Sequence, residues 1–160
     1  MSRIHFDLLT EPTGDIYRTL IDYATLNCTT ALLVVRHSIP LASRGKGVLD
    51  QLAAFLKQQE DSSEWPGTKL LDSTALVLRY EFRLECAHIL KESAKALYDW
   101  KQPDLPEDLC FLRDAGDPWL VSVAHERDGF LHLSQEEARN LFVALPAIES
   151  MVDTISFKSL

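Results

Sequence analysis

Cysteine is scarce and scattered: Cys28, Cys86 and Cys110 are the three in the chain, and no two of them form a CxxC pair. An odd, widely spaced set supports neither a disulfide framework nor a structural zinc site, so reduced, mostly buried thiols are expected. Long apolar runs are missing too. Nothing approaches the stretch of about 18 apolar residues that a membrane span needs, and the start, MSRIHFDLL, lacks the basic-then-apolar pattern of a secretory signal. The expected compartment is therefore the cytoplasm, with no membrane partner. Lysine and arginine are in deficit, 16 against 24 aspartates and glutamates, for a net charge of −8. A sequence-independent nucleic-acid binder needs the opposite surplus to neutralise phosphates. Compact catalytic signatures are also lacking, with no G-x-S-x-G elbow and no H-E-x-x-H. No catalytic residue, resident metal or cofactor is expected on these grounds.

What is present is the composition of a folded chain, 46% apolar and 25% charged over 160 residues. No repeat or long linker divides it, so residues 1–160 read as one domain. Ile4, Phe6 and Leu8 alternate as in a strand, and Ile16, Leu20, Tyr23 and Ala24 recur at helical spacing. Ala31 to Val35 is continuously apolar, as in a strand covered on both faces. Val48, Leu49, Leu52, Ala53 and Leu56 predict a second helix whose start Gly45 and Gly47 mark, ended by a loop around residues 62–67. Leu76, Leu78, Tyr80 and Phe82 predict a half-buried strand, and Leu84 to Tyr98 an amphipathic helix stopped by Pro103 and Pro106.

Residues 103–145 are the most legible part. Asp114-Ala115-Gly116-Asp117 and Arg127-Asp128-Gly129 read as tight turns between three strands, and Ser134 with Glu137 forms a capping box ahead of Ala138, Leu141, Phe142 and Leu145. The predicted order is β-α-β-α-β-α-β-β-β-α. This is an α+β domain, with a mixed or antiparallel sheet ending in a three-strand meander and about four helices mainly on one face.

Three groups of residues are candidates for function. If Asp128-Gly129 is a two-residue turn, His125 lies directly across from His132. The two imidazoles could then hold a metal, with Glu107 or Asp108 as a third ligand, or act as acid and base. Arg36, His37, Arg44 and Lys46 form the one locally basic window, free of acids between Asp22 and Asp50, and could bind an anion at a glycine-rich helix start. Ser43-Arg44-Gly45-Lys46-Gly47 is not a Walker loop, because Gly47 stands where Ser or Thr is needed. Finally, Trp65 and Trp100 sit near proline and acids, among them Asp104, Glu107 and Asp108. That is the composition of a binding hot spot.

Charge distribution favours the last group. Residues 101–160 carry 5 basic and 11 acidic groups, against 11 and 13 in residues 1–100. The expected function is a non-enzymatic module binding a basic protein partner, with an immunity- or adaptor-type role by analogy with small bacterial inhibitors of basic toxins. The alternative is a small enzyme or ligand-binding domain that uses the histidine hairpin or the basic window.

Overall fold

The structure, a computed structural model, describes residues 2–154. Alternating apolar residues form β1 (Ile4–Leu8), and the helical spacing after it becomes α1 (Gly14–Asn27). The apolar run is β2 (Thr30–Arg36). α2 (Ser43–Leu52) starts before the glycines expected to mark its start and stops before Leu56. A short 3₁₀ turn then leads into β3 (Leu56–Ser62), a strand where helix and loop were expected. The expected loop is itself a hairpin of β4 (Glu64–Trp65) and β5 (Thr68–Lys69). Pro66 followed by Gly67 at φ +88° is the signature of a type II turn, and a Cβ on Gly67 would stand 2.8 Å from Val121 Cγ1. The turn thus rests directly on the sheet.

β6 (Ala75–Glu81) follows as read from its periodicity. α3 (Leu84–Ser93) starts where expected but stops short of Tyr98, because Ala94 turns extended and Leu97–Asp99 form a separate 3₁₀ turn, whose Asp99 carboxylate accepts the Lys95 and Ala96 N–H groups. The meander is β7 (Glu107–Leu112), β8 (Pro118–Val123) and β9 (Asp128–Leu133). After it come α4 (Gln135–Ala144), α5 (Pro146–Glu149) and the two-residue β10 (Val152–Asp153). The capping box at α4 is formed: Glu137 N–H donates to Ser134 Oγ at 3.1 Å, and Ser134 N–H to Glu137 Oε1 at 2.7 Å.

Among the described residues eight strands make one sheet in the order β10-β1-β9-β8-β7-β2-β6-β3, with every registered pair antiparallel. β2 is central, between β6 and β7, which is why its run has no polar alternation. Its Ala31 and Leu33 face the main core, where residues of all five helices pack, including Leu20, Leu52, Leu90, Leu141 and Ile148. The helices therefore lie on one face of a single α+β domain. Leu32 and Val34 point the other way, into a smaller cluster with Ala75, Val77, Cys110, Leu112 and Val121, roofed by Trp65. β6 is thus only partly wet on its outer face: Val77 is buried beneath the hairpin, and Arg79 and Glu81 alone reach solvent.

The last hairpin departs from its predicted register. Ala124–Glu126 forms a 3₁₀ turn and Arg127 takes φ +51°, so Val123 faces Asp128 and Ser122 faces Gly129. Asp128 and Gly129 belong to the strand. Gly129 is needed for close approach rather than for a turn, since a Cβ there would come within 2.9 Å of Val121 O.

Candidate functional site

The sequence patterns put polar residues at the ends of β2 and β7, and a break in pairing brings them together. The β2–β7 register shifts between Leu32 and Val34, and Asp108 takes φ +58° at the irregularity. A bulge of this kind re-aims side chains. Here it buries two neighbouring carboxylates, Glu107 and Asp108, in different polar nests.

Glu107 is fully buried. Its Oε2 accepts from Arg36 Nε at 2.8 Å, its Oε1 lies 2.5 Å from His125 Nε2, and the Gln102 N–H donates to Oε1 at 3.3 Å. Gln102 fastens the end of β2 in turn: Arg36 N–H donates to its Oε1 at 2.6 Å, and its amide donates to Ile39 O at 2.7 Å. Asp108 accepts from Trp65 Nε1 at 3.0 Å and from Ala124 N–H at 3.0 Å. Burial pushes the Asp108 carboxyl above the usual aspartate value despite those two donors, with the Glu107 charge adding to the rise. The Arg36 guanidinium lies over the Trp65 ring, 5.3 Å from its centroid. One residue or more from each candidate group meets here: Arg36 from the basic window, Trp65, Glu107 and Asp108 from the expected recognition patch, and His125 from the histidine pair.

The arrangement clamps the hairpin, the start of β7 and the 124–127 turn to the end of β2. It also fixes one face of His125, whose side chain is 41% exposed, through a buried carboxylate. Four of the five residues expected to meet a partner, Trp65, Trp100, Glu107 and Asp108, are buried, and only Asp104 is exposed. Trp100 donates Nε1–H to Tyr17 Oη at 2.9 Å, deep among the helices, and Tyr17 donates to Leu90 O at 2.7 Å. Trp65 and Trp100 here plug the core rather than meet a partner, each with an internal acceptor for its N–H.

The basic window does not converge. Arg36 is spent on Glu107, His37 pairs with exposed Asp61 at 2.7 Å, and Lys46 is exposed on α2. Arg44 donates to Ser93 O and lines an open polar cleft of about 490 Å³, where Lys95, Lys101 and Arg127 also lie. Acids interleave these cations. Glu11 takes Arg127 at 3.0 Å, and Asp99 accepts the Lys95 and Ala96 N–H groups at 3.0 Å. Gln102 lines the same cleft, which puts His125 one hydrogen-bonded residue away from it through Glu107.

His125 and His132 do not face each other, because the four-residue connection of residues 124–127 shifts the register that a two-residue turn would set. His132 has a histidine across the strand after all, His5 of β1. Their nitrogens, Nδ1 of His5 and Nε2 of His132, are 2.7 Å apart. The sequence hint for this was the alternation of β1, which puts His5 and Asp7 on the face opposite Phe6, but the β1–β9 pairing that joins them is long-range.

Cys28, Cys86 and Cys110 are all buried, and burial pushes the Cys86 and Cys110 thiols up to about 12, which makes them poor nucleophiles. Among the described residues no group of three His, Cys, Asp or Glu is placed to hold a metal ion, and no helix is long and apolar enough to cross a membrane. No protein-family model, curated protein or solved structure matches the chain.

Proposed function

We propose that this protein is a non-catalytic binding module for a basic protein partner. The observation that supports this reading is where the acids of the second half end up. Asp104, Asp114, Glu126, Asp128, Glu136 and Glu149 are all exposed, and among the described residues no ion pair holds any of them. Of the cations in this half, Arg113 is 9% exposed between Asp117 and Glu137 and Arg127 is held by Glu11, which leaves Lys101 and Arg139 among the described residues against six exposed acids. The excess negative charge is therefore left on the surface, where it steers a basic partner from a distance. Asp114 and Glu136 flank the two acids that hold Arg113, so they concentrate the charge at one end of the meander. An immunity-type role in a bacterial cytoplasm is the specific form of this reading.

The test is a variant with Asp114→Asn and Glu136→Gln together, compared with wild type in capture from the native lysate and then in association kinetics. The captured partner should be basic. Association should be slowed roughly 3- to 10-fold at low ionic strength, with a smaller loss at high salt, because exposed charges act over about a Debye length. An acidic partner, or an association rate indifferent to both salt and these substitutions, would sink the reading.

A second reading rests on the cleft, where Arg44, Lys95, Lys101 and Arg127 share a wall with Tyr98. That grouping suits a small anion. Protection of the cleft resonances by inorganic pyrophosphate, lost in Lys101→Ala, would favour it over the acidic surface.

A further inference from the structure

On the helix-free face of the sheet, the alternation that sends Phe6, Leu131 and Leu133 into the main core sends His5, Asp7 and His132 outward. His5 and His132 are direct cross-strand neighbours, and the Phe130 ring lies 4.7 Å from each imidazole. Asp7 Oδ1 accepts from His5 Nε2 at 2.6 Å. The proton on His5 is therefore kept at Nε2, and Nδ1 is left as the nitrogen that presents a lone pair toward His132. A carboxylate behind a ligating imidazole is the usual way of fixing the tautomer and raising ligand basicity at a metal.

We propose that His5 Nδ1 and His132 Nε2 are the protein ligands of a divalent transition-metal site of the zinc and copper class, with water completing the coordination and Asp7 orienting His5. Two metal–nitrogen bonds of about 2.0–2.1 Å, at angles between a right angle and tetrahedral, need nitrogens about 2.9–3.4 Å apart. The two are now 2.7 Å apart, sharing one proton, so the nitrogens must part by a few tenths of an ångström and the rings turn until both lone pairs converge on one point. On binding, the metal takes the place of that shared proton at His132 Nε2, and a proton exchanged with solvent settles on His132 Nδ1, so both imidazoles stay neutral and no net proton is released. Both rings are partly exposed, so the site can be entered directly from solution.

The surrounding charges are of both signs. Arg113 donates to His132 O at 2.6 Å and its charge opposes a cation at His132, but it is partly offset by Asp117 at 2.9 Å and Glu137 at 2.6 Å. Arg3 is likewise drawn to Asp117 at 3.4 Å, and Asp153 lies across the strand from Asp7. Burial, then His5 and Arg113, hold the His132 imidazole below the usual histidine value, which keeps it neutral and able to ligate near neutral pH. With two histidine ligands, affinity falls below that of sites with three or four protein ligands.

The experiment is a calorimetric titration of chelator-treated full-length protein with zinc chloride and, separately, copper chloride. One equivalent of at least one metal should bind near neutral pH with little net proton release, and raise the melting temperature. His5→Ala and His132→Ala should each weaken binding at least tenfold, Asp7→Asn about tenfold, at the low end of the 10–100-fold range for groups behind a ligand, and His125→Ala not at all. Metal-free melting curves check folding, with His132→Gln as the substitute if His132→Ala melts early. The proposal is overturned if neither metal binds one to one, if both histidine variants bind like wild type, or if the loss falls on His125→Ala instead.

Discussion

On one side of the sheet Leu33, Leu78, Phe111 and Leu131 meet a layer of helices, whereas on the other Leu32, Val34, Val77 and Val121 are roofed by a hairpin of a few residues. The helix side is closed by apolar area, with Trp100 and Tyr17 hydrogen-bonded inside it. The hairpin side has too little apolar area for that. Its cover is tied down by polar groups, through Trp65 to Asp108 and Arg36 to Glu107. A large apolar interface loses stability in proportion to what is cut away and still holds together, but a small polar network is strong only while every member is satisfied. The two sides should therefore fail differently when cut.

The largest loss should come from the helix side. Trp100→Ala removes a fully buried indole and leaves Tyr17 Oη without its donor, which should cost about 3–5 kcal/mol, toward the upper end. Urea unfolding measures it. A variant that melts with the wild type would mean that the helix layer rearranges around the gap.

Next comes the hairpin side. Glu107→Ala strips Arg36, His125 and the Gln102 N–H of a common acceptor, and breaking a buried pair from one end costs about 3–5 kcal/mol. The Arg36 side chain is 23% exposed and can recover some hydration, so the loss should lie near 3 kcal/mol. Trp65 fluorescence should change in this variant while the far-ultraviolet circular dichroism stays native, since the hairpin loosens and the helices do not. Loss of both signals together would erase the distinction between the two sides.

How legible each side was in the sequence follows from the same contrast. Periodicity reports burial against a neighbouring layer, so β1, β2, β6 and the bodies of α1 to α4 were readable from Ile4, Leu33, Leu78 and Leu90 and their spacing, whereas the ends of α2 and α3 and the one-turn α5 were not. β3 was not. Leu56–Ser62 is an edge strand exposed along almost all its length, and LKQQEDS carries no burial pattern to read. The hairpin was taken for a loop because Trp65 and Leu70 are too few apolar residues to show a period. Glu107 and Asp108 looked like surface acids, since nothing local announces that a bulge in β7 will turn them inward. His5 was overlooked as the partner of His132 because the two are 127 residues apart in the chain.

The smallest effect should appear at the helix cap, and it separates a local contribution from a networked one. Ser134→Ala removes the acceptor for Glu137 N–H and should cost about 1 kcal/mol at any pH above the carboxyl range. Glu137 is different, because its carboxylate also takes the Arg113 fork at 2.6 and 3.1 Å. Burial works against that charge, yet Arg113, the Ser134 N–H and Arg3 together hold the Glu137 carboxyl below the usual glutamate value. A depressed folded pKa gives stability that is complete above the unfolded value and is lost as the pH falls through the folded one. Acidification should therefore remove part of the wild-type stability, and Glu137→Gln should be less stable near neutral pH but lose less below pH about 4, in the range where glutamates titrate. Ser134→Ala should keep most of the wild-type slope, since Arg113 still holds the carboxylate. Equal acid sensitivity in wild type and Glu137→Gln would show that the Arg113 pairing contributes nothing to folding.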